Sequence, residues 1–102
     1  MDSPDKQTPL DVLELLALCR MVLEKTIEQG TREVSLEHDF YWSIAPEQRY
    51  YVYDEPEDLS IGQLSSDLDS LRSLVDYDSF VPPNALVWLA RLMEALGDEI
   101  MP

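Results

Sequence analysis

His38-Asp39-Phe40-Tyr41-Trp42-Ser43-Ile44-Ala45-Pro46-Glu47-Gln48-Arg49-Tyr50-Tyr51-Val52-Tyr53-Asp54-Glu55 is the stretch on which the fold turns. Apolar and polar residues alternate through its first arm, the period of a half-buried strand. Leu36, His38, Phe40, Trp42 and Ile44 fall on one side; Glu37, Asp39, Tyr41 and Ser43 fall on the other. Ala45-Pro46-Glu47-Gln48 suits a type I turn, because proline presets the angle its second position needs. The spacing predicts a β-hairpin with Trp42 opposite Tyr51 and Phe40 opposite Tyr53. That register sets His38 against Glu55 and Asp39 against Asp54. One face then carries Phe40, Trp42, Ile44, Tyr51 and Tyr53, and helices are expected to cover it.

Upstream, Thr8-Pro9-Leu10-Asp11 reads as a helix start, with Thr8 as cap and Pro9 in the first position. The helix is expected from Pro9 to Gln29, with Gly30 as its C-terminal stop. Val12, Leu15, Leu16, Cys19, Leu23 and Ile27 form an apolar stripe, widened by Leu13, Leu18 and Val22. A helix this apolar needs cover on more than one side. Downstream, Ser60 and Gln63 match a capping box, and Leu59 and Leu64 a hydrophobic staple. They predict a second helix running to about Asp76. A third is expected over Asn84–Leu96, closed by Gly97. The architecture is α+β: a long N-terminal helix, a central β-hairpin and two C-terminal helices packed on one face of it. Residues 1–7 are expected to be a flexible polar lead, and 8–102 a single small domain.

The 102 residues include 21 acidic and 7 basic ones, a net charge of −14. Nucleic acid and anionic membranes call for clustered Lys and Arg, so both are excluded as partners. From Glu33 to Asp78 there are 12 acidic and 2 basic residues, which favours a basic partner. Cys19 is the only cysteine, so no intramolecular disulfide and no cysteine cluster for zinc is available. On the apolar stripe it reads as an inert buried thiol. The polar, acidic start is unlike a secretory signal, and no apolar run approaches a membrane span. A cytoplasmic protein is the expectation.

No motif fixes a chemistry. Glu37-His38-Asp39 contains the only histidine, but neighbours on a strand point to opposite faces. His38, Asp39, Asp54 and Glu55 meet only if the predicted hairpin mouth forms, and would then make the alternative, a small metal- or ligand-binding enzyme site. The acidic loop Asp54, Glu55, Glu57 and Asp58 lacks the spacing and glycine of a calcium loop. No cofactor is expected.

The preferred reading is a non-catalytic interaction module of inhibitor, immunity or DNA-mimic type. Asp39, Tyr41, Tyr50, Asp54, Glu55, Glu57 and Asp58 are its candidate partner-binding residues, since tyrosine beside acid suits an Arg- or Lys-rich surface. A structural subunit or adaptor is the other alternative. The two open sheet edges and the over-apolar helices are compatible with a homodimer, through a hairpin edge or the last helix.

Overall fold

The computed structural model describes residues 8–53, 55–56, 59–75 and 81–101. The chain divides into two compact units, Met1–Glu33 and Val34–Pro102.

The first unit is built on α1 (Val12–Glu28). Its cap is Asp11 and not Thr8: Asp11 Oδ1 accepts the Leu13 and Glu14 backbone N–H groups at 2.9 and 3.3 Å. Asp11 thereby satisfies two of the donors that a helix start leaves orphaned, and Pro9 stays outside. The C-terminus ends as expected. Gly30 has φ 105°, a conformation glycine adopts without a Cβ penalty. Gly30 N–H donates to Ile27 O and Thr31 N–H to Thr26 O, the paired bonds of a Schellman stop.

The second unit holds β1 (Phe40–Ile44), β2 (Leu59–Gln63), α2 (Leu64–Val75) and α3 (Asn84–Ile100). The strands form an antiparallel pair, and both helices pack on the hairpin side, α3 through α2. The α+β layout is as the sequence predicts, but the second arm of the hairpin is a different segment. Trp42 pairs with Ile61 and Phe40 with Gln63, where Tyr51 and Tyr53 were expected. The Pro46 turn does form, with Gln48 N–H donating to Ala45 O at 2.9 Å. It does not send the chain back at once. Arg49 N–H bonds to Pro46 O and Tyr51 N–H to Gln48 O, so the turn coils into 3-10 geometry and carries Tyr50–Tyr53 away from β1.

The predicted capping box at Ser60 is likewise displaced. Ser60 pairs with Ser43 inside the sheet, and α2 begins four residues later. Its cap comes from the residue just before β1. Asp39 Oδ1 accepts the Ser65 backbone N–H at 2.8 Å, its Oδ2 accepts the Ser65 hydroxyl at 2.8 Å, and Asp39 O accepts the Leu64 N–H at 2.7 Å. Gln63 Nε2 donates to Asp39 Oδ2 at 2.8 Å where a capping box would have turned it toward Ser60. Asp39 is therefore the hinge pin between β1 and α2. Three donors hold its carboxyl below the ordinary value near 3.8: the Gln63 amide first, then the Ser65 backbone, then the Ser65 hydroxyl.

A carboxyl lowered on folding adds stability above its unfolded value and loses it as pH falls through its folded one. Asp39→Ala is expected to destabilise the unit near neutral pH, as the loss of a helix cap does. The difference from wild type shrinks once pH falls below the ordinary carboxylate value. Urea unfolding of both proteins at several pH values checks this; a difference that persists undiminished at low pH contradicts it.

The core of this unit is small. Leu64 and Ala85 are buried at 6% and 4% exposure, and Asp67 at 8%. Leu68 and Leu71 of α2 and Trp88 and Leu92 of α3 are half-buried. Helix α3 does not stop at Gly97 but continues to Ile100, with Met101 N–H bonded to Gly97 O at 3.0 Å. Interior glycine costs a helix about 1 kcal/mol, less than is needed to end it.

Candidate functional site

Strand alternation places Phe40, Trp42 and Ile44 on one side of the hairpin, with Gln63, Ile61 and Leu59 opposite them. Tyr41 and Ser43 take the other side, with Gly62 and Ser60. The sequence expects the helices on the first side. They engage the second. Tyr41 Oη donates to Asp67 Oδ2 on α2 at 2.6 Å, and the Arg91 guanidinium of α3 lies 5.0 Å from the centre of the Tyr41 ring. Gly62 is what lets the ring lie there, because a Cβ at Gly62 would clash with the Cζ, Cε2 and Oη atoms of Tyr41. Burial, then the hydrogen bond and the negative charge of Asp67, push the Tyr41 hydroxyl up to about 12, with Arg91 opposing.

The face predicted to be the core is thus open. Phe40 is 64% exposed and Trp42 and Ile61 both 67%. Phe40, Tyr41, Trp42 and Ile61 line a shallow depression on it. Phe40 and Tyr41 also form one wall of a cleft of about 260 Å³, whose far wall is α3. Leu36 and Leu64 give it apolar surface; Glu94, Asp98 and Glu99 set acid along its rim, with Arg91 and His38 among them. Glu99 is held by the Glu37 backbone N–H at 2.9 Å, and Glu94 lies 3.8 Å from Arg91.

No family model, curated protein or solved structure matches this chain. What the site does must be read from its own residues.

Of the sequence candidates, Asp39 and Tyr41 are tied into the fold, as cap and as interlayer hydrogen-bond donor. Tyr50 is 81% exposed, in the connection beyond the 3-10 turn, with Tyr51, Val52 and Tyr53 also exposed. Glu55 is exposed. Asp54, Glu57 and Asp58 lie outside the described residues. The hairpin mouth that was to gather His38, Asp39, Asp54 and Glu55 is replaced: Asp39 faces the start of α2, and His38 lies on the α3 cleft. Among the described residues, no three His, Cys, Asp or Glu side chains are grouped to hold a metal ion, and no helix is long and apolar enough to cross a membrane.

The open surface that sequence reasoning missed is the pair Trp42 and Ile61 with the cleft beside them. The alternation assigned Trp42 to its side correctly. It carried no signal about which side the helices would take.

Proposed function

We propose that this chain is a non-catalytic interaction module that takes a basic protein segment on the open face of its hairpin. The observation that carries the reading is the exposed Phe40, Trp42 and Ile61 cluster on a unit holding 14 acidic and 3 basic residues over 34–102. Aromatic anchors supply most of the energy at interfaces, and surrounding carboxylates select and steer a cationic partner. An apolar residue of the partner packs on Trp42 and Ile61, and its Lys or Arg reaches the Glu94 and Asp98 rim of the cleft.

The test is selection of a displayed random-peptide library against the intact protein at low salt. Selected peptides are expected to be enriched in Lys or Arg together with an aromatic or aliphatic residue. Their affinity falls as salt rises, since exposed charge is screened beyond roughly 8–10 Å at ordinary ionic strength. Trp42→Ala weakens binding about tenfold or more, the loss of a modest anchor. Selections without a basic bias, or peptides indifferent to Trp42→Ala, overturn the reading.

A further inference from the structure

Helix α1, taken by itself, presents a different surface. From Leu18 round to Leu13 its residues cover an arc of about 220°, at roughly 100° per residue. Only Thr26 and Arg20 interrupt the apolar side chains on that arc. Ten large hydrophobic residues between Leu10 and Ile27 are 38–77% exposed. A helix laid on one neighbouring surface needs an apolar stripe of about 100°; this one has twice that.

Three observations say what covers it. The first is area. At about 25 cal/mol per Å², the value of burying one such side chain corresponds to roughly 60–120 Å². The eight of them that lie on the arc, about half exposed, offer roughly 250–500 Å² of apolar surface. A stable interface takes about 800 Å² from each partner, and in homodimers about 65% of it is apolar. The second is charge. Val12–Glu28 contains three acidic and two basic residues, against 14 and 3 in 34–102. Two copies meeting through the second unit would oppose like charges, whereas meeting through α1 they would not. The third is pattern. Val12, Leu16, Cys19, Leu23 and Ile27 follow one another at intervals of four, three, four and four residues, close to the seam of a helix pair.

We infer that α1 is a self-association element, and that its occupant is α1 of a second copy of this chain, packed along the Val12–Ile27 seam. Cys19, near the middle of the helix, lies close to the two-fold axis of such a pair.

Sedimentation equilibrium of the full chain across a wide concentration range tests the inference. Twice the chain mass is expected, passing to the single mass on dilution. A single mass at every concentration overturns it. Hydrogen exchange on the same wild-type samples locates the interface without relying on a variant that might unfold. Amides of 12–28 are expected to exchange more slowly at the concentration where the dimer predominates. If the extra protection falls on 40–44 or 84–100 instead, the dimer is formed by another surface and the assignment to α1 is wrong. Leu16→Asp should return the chain to the single mass, while Leu86→Asp on α3, also exposed, should leave the dimer intact.

Discussion

Replacing Tyr41 by Phe should destabilise the 34–102 unit by about 1.5–3 kcal/mol, although only one oxygen is lost. The partner of that hydroxyl is Asp67, 8% exposed, and a hydrogen bond to a buried charge is worth more than one between neutral groups. Without the phenol, the carboxylate keeps its desolvation cost and loses its donor at 2.6 Å. Removing both partners should cost less than removing one, because an apolar pair leaves nothing unsatisfied. In Tyr41→Phe/Asp67→Leu, stability is expected to return most of the way to wild type. Urea unfolding of the two single variants and the double variant gives the coupling. Strictly additive losses would mean that the Tyr41 and Asp67 contact contributes nothing beyond packing.

The same contact predicts an alkaline signature. A phenol raised from an ordinary value near 10 to about 12 holds its proton in the folded chain after the unfolded chain has released it. The stability it contributes is therefore complete below about pH 10 and is lost between about 10 and 12. Absorbance at the phenolate band should resolve one tyrosine titrating near 12 in wild type. In Asp67→Asn that step moves to lower pH, because the carboxylate's charge no longer opposes ionisation.

Where the sequence was legible, local chemistry had no rival. The stop at Gly30 and the helical spacing of the apolar residues in α1 depend on neighbours three to five residues apart. So does the Pro46 turn. The strand at Phe40–Ile44 follows from aromatic and β-branched residues that suit a pleated surface.

Reading failed where a distant residue did the same job better. Ser60 and Gln63 satisfy a capping box on paper, but Asp39, just before β1 and 26 positions before Ser65, offers a charged acceptor to the same helix start. Once Asp39 caps at Leu64 and Ser65, residues 59–63 are released to pair with β1. Tyr50–Tyr53 has the stronger strand propensity and lost the pairing regardless. The consecutive 3-10 bonds after Pro46 point it away from β1. The site was hidden for a related reason. Alternation divides a strand into two sides, and the more apolar side is the natural core. Here Gly62 opens the other side to an aromatic ring. Tyr41 can reach past it and join both helices, while Trp42 and Ile61 remain in solvent.

Gly62→Val follows from that exchange, and its effect should be the larger of the two: a loss of about 3–5 kcal/mol, a large share of the 5–15 kcal/mol that a small domain commands. Overpacking alone accounts for about 1–3 kcal/mol. The remainder arises because the valine occupies the space of the Tyr41 ring, which must then leave both Asp67 and Arg91. The sign should reverse when the ring is absent. In a Tyr41→Ala background, Gly62→Val meets no ring, loses no further hydrogen bond, and replaces a poor strand residue by a good one, a change worth up to about 1 kcal/mol in favour of the sheet. The same substitution is therefore expected to be severe in wild type and neutral or stabilising in Tyr41→Ala, as read from unfolding midpoints of the four proteins. An equal loss in both backgrounds would show that Gly62 is required for its own backbone, and that the close approach of Tyr41 to it does not orient the hairpin toward the helices.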